Sequence, residues 1–267
     1  MGHITAPPGG AAQTGLAYSG AVAPGVAIIL AAGRGARMAS TIPKALQPLG
    51  GVPILRRMLD AAAPVFGRAI VVAEPEMAGI AAAAAPYPTV IQREALGSAN
   101  AALQAAPMLS GFRGDAVVLP ADTPLIGRAT LARMREARAD GAHLVLLAVR
   151  PRHPGRHDRI IACPDTGIVE RLVDWADSTV AERAIGLCHA GVFCARSVDL
   201  FRWLRCVRPY QGGGEHRLND IVAIAREERR IVIAVEGPEE ELLCVDTPEA
   251  FAAAEASLQN ATPALAA

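Results

Sequence analysis

The chain has 267 residues, with 26 lysines and arginines against 26 aspartates and glutamates, 52% hydrophobic residues and 4% aromatics. That length suffices for a large buried core, and the zero formal charge excludes the standing cationic excess of a nucleic-acid groove. The apolar content is largely alanine, and its longest runs, such as Met77 to Ala85, fall well short of the roughly 20 residues of a membrane span.

Residues 1–24 are rich in Gly, Ala, Pro and Thr without periodicity and read as a flexible tail. Val26 to Leu30 is a continuous apolar run ending in Ala31-Ala32-Gly33, the pattern of a buried parallel strand. Pro53 to Ala63 has helical spacing, Arg68 to Ala73 reads as a strand, and Met77 to Ala85 reads as an Ala-rich helix. Thr89 to Ile91 is a short strand, Ser98 to Ala106 a helix, and Asp115 to Leu119 a strand that ends at Pro120-Ala121-Asp122.

Beyond Ala142 the texture changes. His143 to Val149 is a strand; Arg159 to Ala162 and Ile168 to Val173 flank a Pro-Asp-Thr-Gly turn as a hairpin. Cys188 to Ala195 and Ile231 to Val235 are strands, with helices at Val198 to Leu204, Leu218 to Glu228 and Pro248 to Leu258. Residues 259–267 read as a second flexible tail. This alternation predicts an α/β fold, a Rossmann-like open and mostly parallel sheet with a small substrate lobe.

Cys163, Cys188, Cys194, Cys206 and Cys244 form no Cys-x-x-Cys pair and no zinc spacing. No Lys or Arg precedes Arg34, so no secretory n-region is present, and a cytoplasmic chain with reduced thiols in its core is expected. His153, His157 and His189 are expected to face solvent and not to form a metal triad.

The sharpest chemical signal follows the first strand, in Leu30-Ala31-Ala32-Gly33-Arg34-Gly35-Ala36-Arg37-Met38 and Pro43-Lys44. Gly33 and Gly35 let backbone N–H groups approach an anion, and Arg37 and Lys44 bring cations to the same mouth. The pattern is neither a Walker loop nor the dinucleotide fingerprint, since it lacks Gly-Lys-Ser/Thr and a third glycine. Asp122 lies just beyond a buried strand, where open α/β sheets hold ligands. It can serve as a Mg²⁺ ligand or as a turn residue before Pro124. Asp246 can supply a second oxygen or cap the helix near Pro248. Glu170 can accept hydrogen bonds from a ligand or sit solvated on its hairpin.

These residues resemble the signature of sugar-phosphate nucleotidyltransferases, a MobA-like NTP transferase domain. The likeness is strongest to the uridyltransferase (pyrophosphorylase) domain of bifunctional N-acetylglucosamine-1-phosphate enzymes. It continues through Gln92-Arg-Glu-Ala-Leu96-Gly97-Ser98-Ala99, Leu119-Pro-Ala-Asp122-Thr-Pro124-Leu125-Ile126 and Asp158-Arg159-Ile160. Ile168-Val169-Glu170, Ala190-Gly191-Val192, Glu215 to Ile221 and Val245-Asp246-Thr247 extend it over about residues 26–256.

The resemblance implies a nucleotide-diphospho-sugar transferase, GT-A-like fold, with a nucleotide-binding half near 25–142 and a sugar-binding, metal-completing half near 143–258. It assigns Arg37 and Lys44 to catalysis, and Leu30, Ala31, Ala32, Gly33, Gly35, Gln92, Gly97 and Ser98 to the nucleotide. It assigns Asp158, Glu170 and His189 to the sugar phosphate, and Asp122 and Asp246 to Mg²⁺. The expected partners are a nucleoside triphosphate, UTP foremost, and a sugar-1-phosphate such as N-acetylglucosamine-1-phosphate, with no nucleic acid and no membrane. His189 stands where that family has Asn, Asp158 where it has Gly, and Asp246 where it has Asn. Alternatives are a cytidylyl- or molybdenum-cofactor guanylyltransferase, or a non-catalytic nucleotide-sugar sensor. No hexapeptide repeat occurs, so no acetyltransferase activity is expected.

Overall fold

A computed structural model describes residues 23–33, 42–75, 77, 79–210 and 214–261. The chain opens on β1 (Gly25–Leu30), whose residues are buried on both faces, as its unbroken apolar run requires. A two-stranded ribbon, β2 (Pro48–Leu49) and β3 (Val52–Pro53), leads into α1 (Ile54–Phe66). This helix buries Leu55, Met58, Leu59, Ala62 and Phe66 along one face and stops at Gly67. Gly67 takes the left-handed conformation at φ 77° and donates its N–H to the Ala63 carbonyl.

After β4 (Ala69–Ala73), the helix expected over 77–85 shrinks to α2 (Ile80–Ala84). Pro86 bars a helical conformation at the residue before it, and Gly79 precedes the first turn. Then come β5 (Thr89–Ile91), α3 (Ser98–Leu103) with a 3₁₀ turn at Ala106–Leu109, and β6 (Asp115–Pro120). Helix α4 (Arg128–Ala139) was not expected from the sequence.

The second half contributes β7 (Leu144–Val149), the antiparallel hairpin β8 (Arg159–Ala162) and β9 (Val169–Val173), and α5 (Val180–Arg183). It continues with β10 (Cys188–Arg196), α6 (Ser197–Cys206), α7 (Ile221–Glu227) and β11 (Val232–Gly237). A 3₁₀ turn at Leu218–Asp220 replaces the expected first turn of α7. The last helix, α8 (Pro248–Ala261), runs three residues past the expected boundary at 258.

The main sheet has the order β11-β7-β10-β6-β1-β4-β5. All neighbours pair in parallel except β10, which lies antiparallel between β7 and β6. The β8–β9 hairpin hangs from β10 through Arg159 and Cys188 as the small lobe. Alternate residues of β1 enter two cores: Ala27 and Ile29 join the α1 side, Val26 and Ile28 the side of α3, α6 and α7.

Helix α4 has no acidic residue in its first turn and no side-chain cap of its own. Glu241, 3% exposed, fills that role from across the fold. Its carboxylate accepts from the Gly127 N–H at 2.9 Å and the Thr130 hydroxyl at 2.8 Å. Glu241→Ala is expected to cost about 2 kcal/mol, because the helix start loses its acceptor in a buried setting. Glu241→Gln keeps an acceptor and should cost less. Chemical denaturation of both variants checks this order.

Candidate active site

The sheet register gathers the expected site on one edge. Leu30 stands opposite Pro120 on one side and Val72 on the other, and Val72 opposite Val90. Two residues further on, Ala32, Asp122 and Gln92 therefore emerge together at the carboxyl ends of parallel strands. That is where an open α/β sheet leaves a crevice. A small cleft is lined there by Leu30, Ala31, Gly33, Lys44, Pro120 and Asp122. Arg34, Gly35 and Arg37 lie outside the described residues.

Lys44, 8% exposed, heads a short 3₁₀ turn behind Pro43. Its ammonium donates to Asp122 Oδ2 at 3.0 Å and to Asp246 Oδ1 at 2.5 Å. Burial disfavours that charge, but the Asp122 and Asp246 carboxylates outweigh it and hold the Lys44 ammonium above its ordinary pKa. The two carboxylates come from separate segments, locked together where the Val245 N–H meets the Asp122 carbonyl at 2.7 Å. The Thr247 hydroxyl caps α8, accepting from the Ala250 N–H at 3.2 Å. The carboxylate of Asp246 faces Asp122 and Lys44.

Cys244 joins this group, against the expectation that every thiol is a core residue. Only Cys188 and Cys194 are buried; Cys206 is exposed, and Cys163 and Cys244 are half-buried. Cys244 Sγ and the Asp122 and Asp246 oxygens all lie within 4.8 Å of one another. Burial, and then the two carboxylate charges, push the Cys244 thiol far above its usual range, so it stays protonated beside Asp122. Among the described residues this is the sole cluster with metal-binding dimensions, and His153, His157 and His189 form none.

Of the residues expected to meet the nucleotide, Gln92 is buried and its amide donates to the Gly97 carbonyl at 3.2 Å and Asn100 Oδ1 at 3.0 Å. The Gly97–Ser98 turn is pinned to the segment before α7. His216 and Leu218 supply the partners: Ala99 N–H to the His216 carbonyl at 2.9 Å, and Leu218 N–H to the Ser98 hydroxyl at 3.0 Å.

The residues expected to meet the sugar phosphate part company. Glu170 is exposed on β9. Asp158 is engaged within the protein, accepting from the Trp175 N–H and the Asn219 amide at 2.9 Å each. Arg159 is buried under the same loop, donating to the Gly155 carbonyl at 2.9 Å and lying over the Trp175 ring. His189 corrects the expectation of a solvent-facing ring. It sits inside β10, 5% exposed, with Nδ1 on the Leu147 carbonyl and, among the described residues, no hydrogen-bond partner at Nε2.

Burial holds the His189 imidazole neutral down to a pKa of about 4, against 6.5 when free. Below pH 6.5 the unfolded chain therefore takes up a proton that the folded one refuses, and stability falls with pH. The loss is expected to reach about 3 kcal/mol by pH 4. His189→Gln should remove this part of the pH dependence, which denaturation curves across the range would show.

Comparison with known proteins decides the family. The MobA-like NTP transferase domain matches residues 27–261. The chain belongs to that family. It is thus a nucleotidyltransferase domain of known class. It is 48% identical over 242 residues to the bifunctional protein GlmU of Gluconacetobacter diazotrophicus, covering 89% of this chain and 52% of that protein. The bifunctional protein GlmU of Granulibacter bethesdensis is 44% identical over 238 residues, with 88% and 52% covered. The chain spans about half the length of these curated relatives. The crystal structure of UDP-glucose pyrophosphorylase complexed with UDP-glucose aligns with a TM-score of 0.72 at 15% identity. That alignment covers 89% of this chain and 99% of the other, a likeness of fold. Among the described residues no helix is long and apolar enough to cross a membrane.

Proposed function

We propose that this nucleotidyltransferase joins UTP to a sugar-1-phosphate, with N-acetylglucosamine-1-phosphate the first acceptor to test, and releases pyrophosphate. The observation that carries the reading is the pair Asp122 and Asp246 closed around the Lys44 ammonium. One cation touching both carboxylates marks a place that suits Mg²⁺, which takes one or two carboxylates and completes its shell with substrate phosphates. When bound, the ion would neutralise charge developing on the phosphates.

The acceptor phosphate is already ionised near neutral pH, so no general base is needed and positioning carries the rate. Asp122 and Asp246 would hold the ion. Lys44, released from them, would meet the phosphates, with Arg37 as its companion. The edge from Leu30 to Gly33 would supply backbone groups, with Gly35 beyond it, and Gln92, Gly97 and Ser98 would border the base. Glu170 is the exposed carboxylate open to sugar hydroxyls, while Asp158 would act through Trp175 and Asn219. Pyrophosphate release from UTP, CTP, GTP, ATP and dTTP, each with a panel of sugar-1-phosphates, tests this. Release confined to UTP supports the assignment, and release with another nucleotide alone overturns it.

A further inference from the structure

We propose that Asp122, Cys244 and Asp246 form a mixed oxygen–sulfur site that takes thiophilic divalent ions, Zn²⁺ and Cd²⁺ foremost, in competition with Mg²⁺. The inference rests on Asp122 and Asp246 being a cation site and adds Cys244 to it. Their three ligand atoms lie within 4.8 Å of one another. A tetrahedral ion with bonds of about 2.0–2.3 Å separates its ligands by about 3.3–3.8 Å, so small side-chain movements close the site.

The backbone already holds the donors in place. The Val245 N–H reaches the Asp122 carbonyl at 2.7 Å, and the Asp246 N–H reaches the Cys244 carbonyl at 3.0 Å. The Lys44 ammonium bridges both carboxylates, at 3.0 and 2.5 Å, so a cation can contact the two together. Mg²⁺ prefers oxygen throughout, whereas a thiolate selects softer ions. As the sulfur–metal bond forms, the thiol proton leaves to solvent. Three negative ligands then balance the divalent ion and the Lys44 ammonium together, leaving no excess positive charge for a triphosphate. Zn²⁺ bound in this way is an inhibitor.

The test uses the full chain with Cys163→Ser and Cys206→Ser to silence the other accessible thiols. Co²⁺ is titrated while the cobalt–thiolate charge-transfer absorption is followed, and Zn²⁺ affinity is measured against a chromophoric chelator. A saturable thiolate band is expected, lost in Cys244→Ser and Cys244→Ala with circular dichroism unchanged. Loss of an outer-shell partner already costs about 10-fold in metal affinity, so Cys244→Ser should weaken Zn²⁺ by at least about 10-fold. A band that survives both variants, or unchanged Zn²⁺ affinity, overturns the inference. If no band forms while Mg²⁺-dependent pyrophosphate release proceeds, the sulfur ligand is refuted and the transferase reading stands. A Cys244-dependent band in a protein that transfers to no acceptor upholds the metal site and refutes the transferase reading.

Discussion

Asp122→Ala is expected to lower turnover with Mg²⁺ by about 10²–10³-fold or more while leaving the fold intact. Asp122 sits just beyond β6, half-buried, with its carboxylate on the Lys44 ammonium. Its removal takes one of two carboxylates from the cation place and leaves Lys44 paired with Asp246 alone. Two effects then add. The ion loses a ligand, and Lys44 loses the partner that sets its position against the phosphates. Steady-state pyrophosphate release across a Mg²⁺ titration separates them, since a lost ligand raises the Mg²⁺ needed for half-maximal rate. Turnover equal to the parent protein at low Mg²⁺ would contradict a metal role for Asp122.

Gly97→Ala should damage both stability and nucleotide binding. Gly97 holds φ at +92°, and a Cβ there would lie 2.6 Å from the His216 carbonyl oxygen and 2.8 Å from its nitrogen. These are backbone atoms that cannot swing aside. This extended backbone at positive φ, with ψ at 177°, alone costs a non-glycine residue about 1–3 kcal/mol, so a total of about 3 kcal/mol is expected. The same turn offers its carbonyl to Gln92 and carries Ser98, so displacing it disturbs the proposed base pocket. The KM for the nucleotide should rise at least about tenfold, equivalent to about 1.4 kcal/mol of lost binding. Thermal melting and nucleotide KM measured on one preparation check the two effects. An unchanged melting point would contradict the close approach to His216.

The strands that carry the site were legible because burial on both faces writes itself as an unbroken apolar run, as at Val26 to Leu30 and Asp115 to Leu119. The hairpin of β8 and β9 was legible from its Pro-Asp-Thr-Gly turn. Helix α4 was not. Its buried stripe is thin and includes Arg138, and its N-terminal acceptor, Glu241, is 114 residues from Gly127. No local pattern can announce a cap supplied from that distance.

The same reason hid the surroundings of the site. Asp122 and Asp246 could each be named from position, but their meeting across Lys44 is a tertiary fact. Cys244 shows only as the residue two before Asp246, and nothing local distinguishes a thiol facing carboxylates from one filling a core. His189 was misjudged because its strand was read without its neighbours: it stands opposite Ala148 of β7, its ring packs against Phe193 and its Nδ1 lies on the Leu147 carbonyl, contacts that no local pattern announces.

On the proposed function, this site moves a nucleotidyl group to a sugar phosphate. The most direct measurement follows UTP labelled at its α-phosphorus, incubated with Mg²⁺ and N-acetylglucosamine-1-phosphate, and separates the products. Label is expected in the nucleotide sugar, with unlabelled pyrophosphate in equal amount, and both products should form at least about 10²-fold more slowly with Lys44→Ala or Asp122→Ala. Nucleotide that binds but is never transferred, to this acceptor or to any other sugar-1-phosphate, would contradict it and leave a sensor in place of an enzyme.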